Sequence, residues 1–250
     1  MLHLLPLPGA PRFGGDRGAV RERLLADADA LAQGGVDGLL IENFGDAPFL
    51  PGALPPHVVA DMTALACAVR ARFGLPLGVN CLRNDALAAL AVAQAAGGAF
   101  VRVNVLCGAR VTDQGVIEGL ADRLLRERAR LGAAAIRVVA DVDVKHSAPL
   151  GAPRAIEDEV ADLVERGGAD ALVVSGSATG RPADPGRFDR VRAAAEQVPV
   201  LVGSGVDADS VAAWHGRADG VIVGTSLKRD GDPRGPVDPA RVRELVARVR

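Results

Sequence analysis

Pro199-Val-Leu-Val-Gly-Ser-Gly-Val206 and Asp219-Gly-Val-Ile-Val-Gly-Thr-Ser-Leu-Lys228 are two apolar, β-branched runs that stop abruptly at small residues. The first stops at Gly203, Ser204 and Gly205, the second at Gly224, Thr225 and Ser226. Short apolar runs of this kind read as buried parallel strands. Glycine lets a backbone approach a ligand and adopt positive φ, and the small hydroxyls add donors. Two such endings on neighbouring parallel strands make a cup of amide N–H groups suited to a phosphate. In a (β/α)8 barrel that cup follows strands seven and eight.

Working outward, the chain alternates apolar strand-like runs with helical ones, the pattern of a parallel sheet. Strands are expected at Leu2–Leu5, Gly38–Glu42, Leu77–Cys81, Phe100–Leu106, Ile136–Val142 and Ala171–Ser175, before the two runs above. Helices are expected over Gly18–Gln33, from Pro55-Pro56 to Phe73, and over Asp85–Ala96, Ile117–Leu131, Ile156–Arg166, Arg187–Glu196, Ala208–Trp214 and Pro239–Val249. A phrase recurs before strands: Gly34-Gly-Val-Asp-Gly38, Gly167-Gly-Ala-Asp-Ala171 and Ala218-Asp-Gly220. Glycine closing a helix explains its first half, and the repetition indicates repeated βα units. Eight strands with no linker between halves give one TIM barrel, a single (β/α)8 domain over residues 1–250. A doubly wound sheet is disfavoured, because its glycine fingerprint would follow the first strand.

Composition agrees. Of 250 residues 49% are hydrophobic, enough for a large core, and the net charge of −2 indicates no surface for a nucleic acid polymer. The three cysteines show no metal spacing, so reduced thiols are expected. No leader or membrane-length apolar run is evident, which leads to the expectation of a cytoplasmic protein without a membrane partner. Only Lys145 and Lys228 of the 29 basic residues are lysines, and both follow strand ends. A compact, titratable ammonium is a task that arginine cannot perform.

Working groups of such a barrel lie at strand C-termini and in the loops after them. Glu42, Asp141, Asp143, Lys145 and His146 are the catalytic candidates. If Val139–His146 is extended, Asp141, Asp143 and Lys145 share one face. They could then relay a proton, prepare the lysine for carbonyl attack, or hold a divalent cation with Glu42. The plainer alternatives are an ion-paired strand end and a salt bridge between Glu42 and Arg102. His3, Asn80, Arg102, Asn104, Asp113 and Gln114 are candidates for binding substrate. Ser177, Gly203, Ser204, Gly205, Gly224, Thr225 and Ser226 are candidates for binding phosphate, unless the glycines only make tight turns. The long loops Asn43–Leu54 and Cys107–Gly115 suit lids or contacts within a homo-oligomer, with Asp46 also able to do chemistry there.

His3-Leu-Leu-Pro-Leu-Pro-Gly9, Glu42-Asn-Phe-Gly-Asp-Ala-Pro-Phe49, Gly78-Val-Asn-Cys-Leu-Arg-Asn-Asp85, Arg102-Val-Asn-Val-Leu-Cys-Gly108, Val111-Thr-Asp-Gln-Gly115 and Ala140-Asp-Val-Asp-Val-Lys-His146 resemble the BtpA/SgcQ family. The resemblance spans nearly the whole chain and implies a TIM barrel related to phosphate-binding barrels. The family takes its name from a cyanobacterial member needed for photosystem I accumulation. It also occurs in organisms that do not photosynthesise, so that role is not general. Members usually carry more residues before the first block, so a short first strand is expected here. The reading that combines these features is an enzyme acting on a sugar phosphate or a nucleotide-like phosphoribosyl compound, cleaving or forming a bond at the sugar. A non-catalytic assembly factor and a divalent-metal hydrolase are the alternatives; the latter lacks any tight histidine spacing.

Overall fold

The strands are β1 (Leu2–His3), β2 (Leu39–Glu42), β3 (Leu77–Asn80), β4 (Phe100–Val103), β5 (Ala109–Thr112), β6 (Gly115–Glu118), β7 (Arg137–Val142), β8 (Ser147–Pro149), β9 (Ala171–Ser175), β10 (Val200–Gly203) and β11 (Gly220–Ile222). The helices are α1 (Arg17–Gln33), α2 (Pro56–Arg72), α3 (Ala86–Ala96), α4 (Ala121–Arg130), α5 (Ile156–Ala161), α6 (Pro185–Ala194) and α7 (Pro239–Val249). This computed structural model describes residues 1–176 and 180–250. Eight strands pair in parallel in the order β1-β2-β3-β4-β7-β9-β10-β11, which is also their order along the chain. Neighbour-to-neighbour parallel pairing with helical crossovers is what successive βα units produce. All these strands therefore point their C-terminal ends the same way.

The two outer strands of this sheet curl towards each other. The Met1 backbone nitrogen donates to Val223 O at 2.8 Å, but β1 and β11 form no ladder. The fold is thus TIM-barrel-like, without the continuous eight-strand closure the sequence suggests. The reason is the brevity of β1. After Leu4 N donates to Glu42 O at 2.9 Å the chain turns away at Pro6, and towards the strands' N-terminal ends a cleft of about 510 Å³ separates the two edges. Leu39, Leu201, Trp214, Val221 and Leu245 line it.

Local sequence explains the helices. Asp16, Asp85, Asp184 and Asp238 each accept a first-turn backbone N–H, and proline follows the last two. The aspartate of the recurring phrase also has a use. Asp170 accepts the N–H of Val138 and Asp219 that of Val200, both at 2.8 Å, so each ties its strand to the start of a neighbour.

Two helices differ from expectation. Residues 107–118 do not run from loop to helix at Ile117. They form the hairpin β5–β6, extended antiparallel by β8 from the loop after β7. Gly115, with φ of 96°, permits the turn, and Ile117 is buried against Val105 and Val144. The helix Ala208–Trp214 shrinks to a single turn over Val211–Trp214.

Lys228 is fully buried and binds Asp27 Oδ2 at 3.0 Å, while Asp27 Oδ1 accepts the Val237 N–H at 2.8 Å. This lysine clamps α1 to the segment before α7 and is no part of the rim chemistry. Replacing it by methionine removes the partner of Asp27 Oδ2 and leaves Oδ1 to Arg23 at 3.1 Å and to the Val237 N–H, at an expected loss of about 1.5–3 kcal/mol. The exposed pair Arg217–Asp189 is worth less than about 1 kcal/mol. Urea unfolding of Lys228→Met and Arg217→Ala measures the contrast; equal losses would contradict it.

Candidate active site

The polar residues that end the parallel strands gather at one mouth. Glu42 and Asn80 are register partners on β2 and β3, and Asn80 Nδ2 donates to Glu42 Oε2 at 2.7 Å. Glu42 is buried and makes no ion pair among the described residues. Asp141, the penultimate residue of β7, takes the Arg102 guanidinium on Oδ1 at 2.8 and 3.2 Å, and Asn104 Nδ2 on Oδ2 at 2.6 Å. Arg102 therefore belongs to Asp141, and the alternative pairing of Arg102 with Glu42 is not formed. With every oxygen committed, Asp141 positions its neighbours, while Glu42 remains the carboxylate best placed to exchange a proton.

The extended reading of Val139–His146 holds only as far as Val142. Asp143 has φ of 52° and His146 φ of 57°, so the period of two is broken. Asp143 turns away from the mouth, towards Arg110 of β5 and to Arg187 of α6 at 2.5 Å. The three carboxylates proposed for a cation are thus not brought together, and no group of three or more His, Cys, Asp or Glu suited to a metal occurs among the described residues. Lys145 returns to the mouth, its Nζ 3.3 Å from Ser204 Oγ. Burial, with Arg102 nearby, lowers its ammonium below the usual lysine range. Exposed His146 lines the same mouth, with its pKa lowered by burial and by Lys145.

His3 completes this group. Its ring stacks on Phe44 with centroids 4.4 Å apart, and Nδ1 lies 2.8 Å from Pro233 O. A carbonyl only accepts, so Nδ1 carries the proton and Nε2 is left as an acceptor beside Gly224. Burial, aided by Lys228, lowers the His3 pKa from 6.5 to about 3, so the ring is neutral at ordinary pH.

Two connected cavities meet here. The smaller, about 120 Å³, lies against Ser204, Gly205, Gly224, Thr225 and Ser226; the larger, about 550 Å³, opens over Arg83, Asn104 and Asp113. His3, Glu42, Phe44, Arg102 and Lys145 line both. The N–H groups of Gly205, Thr225 and Ser226 enter none of the loop or cap hydrogen bonds among the described residues. Gly205 also has a packing reason: with φ of 68°, its Cβ would lie 2.2 Å from the Arg181 carbonyl carbon. The Ser226 hydroxyl donates to Val206 O at 2.6 Å, which joins the two loops. Gly203 faces Ser175 and Arg102 rather than the small cavity. Ser177 lies outside the described residues.

Other candidates fall elsewhere. Gln114 sits at the hairpin turn, its amide bound to Asp113. Asp46 accepts from Leu7 N at 2.8 Å and Asn43 Nδ2 at 3.0 Å, which pins the long loop after β2. Arg83, Phe44, Arg12 and Arg234 line the larger cavity and were not singled out from sequence. Only Arg83 had a visible signal, as a cation between the strand end at Asn80 and the helix cap at Asp85.

The chain matches the BtpA family over residues 1–250 and belongs to it. It is 46% identical over 246 residues to the photosystem I biogenesis protein BtpA of Synechocystis, covering 98% of this chain and 85% of that protein. A protein of Thermococcus kodakarensis is 48% identical over 248 residues, covering 98% and 92%. Among solved structures, N-(5'-phosphoribosyl)anthranilate isomerase from Pyrococcus furiosus superposes with a TM-score of 0.54 at 14% identity, covering 90% of this chain and 93% of that one. Such a likeness speaks for the fold alone.

The neutral His3 carries a pH dependence. Unfolded, it binds a proton near pH 6.5; folded, it resists until about pH 3. Its contribution to stability is complete above pH 6.5 and is lost as the pH falls towards 3, by at most about 1.4 kcal/mol per pH unit. Urea unfolding at stepped pH should show this slope, and His3→Asn, which keeps a donor for Pro233 O, should flatten it. An unchanged slope in the variant would refute the assignment.

Proposed function

We propose, from a BtpA-family chain whose anion-suited loops open directly onto a carboxylate, an imidazole and an amine, that this protein is an enzyme acting on a phosphorylated small molecule. A sugar phosphate or a phosphoribosyl compound fits the two connected cavities. The observation that carries the reading is the shared lining: Lys145 and Glu42 border both the loop cavity and the mouth. A phosphate held by the N–H groups of Gly205, Thr225 and Ser226 would place the next few atoms of its ligand beside them. Binding energy from that remote group can then orient the reacting end.

In this reading Glu42, oriented by Asn80, moves the proton. Lys145 stabilises negative charge on a carbonyl or hydroxyl oxygen, or attacks a carbonyl to form an imine with loss of water. Neutral His3 accepts a hydrogen bond at Nε2. Asn104 Oδ1 is buried without a partner among the described residues and can accept from a substrate hydroxyl. The outcome is bond cleavage or formation, or isomerisation, at the sugar.

A binding role in assembly is the second reading. It is favoured by the name of the Synechocystis relative and by the exposed Val111, Val116 and Leu150 on the outer face of the β5–β6–β8 sheet.

Thermal shift against inorganic phosphate and sugar phosphates separates the two. The enzyme reading expects stabilisation that Thr225→Glu abolishes by charge repulsion. Once turnover of a phosphorylated compound is found, Glu42→Gln should lower kcat by about a hundredfold to ten-thousandfold with binding retained. Borohydride should trap a carbonyl substrate on the wild type but not on Lys145→Arg if the imine forms. No response to any phosphorylated compound would shift the weight to assembly.

A further inference from the structure

Arg83 is a buried cation with its charge unanswered. It follows β3, the residue is only 5% exposed, and it borders the larger cavity. Among the described residues its one hydrogen bond runs from Nη2 to the Lys145 carbonyl at 2.7 Å, and Nε is buried without a partner. It forms no ion pair among the described residues; the carboxylates that act on it, Asp113, Asp141 and Glu42, do so only at a distance. Asp141 is already taken by Arg102, and Glu42 is held by Asn80. Buried guanidinium groups are ordinarily paired, and one left unpaired beside an open cavity is suited to an incoming anion.

The surroundings have the same sign. Arg12, Arg234 and Lys145 border this cavity with Arg83, against Glu42 and Asp113. Lys145 joins the two ends of the site, with its Nζ at Ser204 of the phosphate loop and its carbonyl held by Arg83.

We propose that Arg83 forms a second anion subsite, so that the substrate carries a carboxylate or a further phosphate at the end remote from its first phosphate. This rests on the phosphate reading above. A planar carboxylate or a phosphate face matches the guanidinium fork, and its docking there would place the intervening carbon chain across Lys145 and Glu42.

Titration of the wild type with three probes tests this without any variant. Glucose 6-phosphate has one anionic end, 6-phosphogluconate adds a carboxylate, and fructose 1,6-bisphosphate adds a phosphate. One or both of the last two should bind about tenfold to a hundredfold more tightly than the first, and which one identifies the second anion. Arg83→Met should reduce that advantage to nothing while leaving stabilisation by inorganic phosphate unchanged, and Arg83→Lys should restore part of it. Equal affinity for all three probes, or an Arg83→Met loss shared by glucose 6-phosphate, overturns the second subsite and leaves the first intact. Failure of inorganic phosphate and all three probes to bind overturns the phosphate reading itself.

Discussion

The centre of the mouth depends on one buried interaction, the Arg102–Asp141 pair. Its side chains are 4% and 0% exposed, so neither charge has water to fall back on. Such a pair survives only when the remaining lone pairs are filled, and Asn104 fills the second oxygen of Asp141. Because Arg102 lies on β4 and Asp141 on β7, the pair ties two adjacent parallel strands just where their backbone ladder ends. It also determines what its neighbours can do. It removes Asp141 from proton chemistry and places a fixed positive charge near Lys145, which makes the lysine's neutral amine easier to reach. Glu42 is left outside the pair, held by an amide and not by a cation.

Parallel pairing in chain order explains why so much of this was legible in the sequence. In such a sheet every strand ends at the same side, so a polar residue closing an apolar run must face the mouth or be buried beside it. Glu42, Asn80, Arg102, Asn104 and Asp141 all obey that rule, and each is buried among polar partners. The starts of α3 and α7 agree with expectation, and there Asp85 and Asp238 cap the first turn from within three residues. What escaped depends on partners distant in sequence. The hairpin at 109–118 is completed by β8 from another loop, and no local periodicity announces that pairing. The shortness of β1 leaves the barrel ladder open, although counting strands suggested closure. Lys228 resembled Lys145 in placement, yet its partner Asp27 lies on α1, some two hundred residues earlier. Arg83 was hidden for a different reason: its significance is a missing partner, and composition cannot show what a side chain fails to meet.

The segment from Asp141 to His146 shows how a single broken period distributes charge. Had the strand continued, Asp141, Asp143 and Lys145 would have stacked on one face, and two carboxylates would have neutralised the lysine. The left-handed turn at Asp143 prevents that. Asp141 stays in the core with Arg102. Asp143 is carried outward to Arg110 and Arg187, where it anchors the β5–β6–β8 sheet to α6; Arg110 also reaches Glu159 of α5 at 2.6 Å. Lys145 then re-enters the mouth with no carboxylate paired to its ammonium among the described residues, its Nζ 3.3 Å from Ser204 Oγ. A lysine so isolated can answer charge on a ligand and not on the protein. The same turn that fixes the outer sheet is therefore what keeps the amine available.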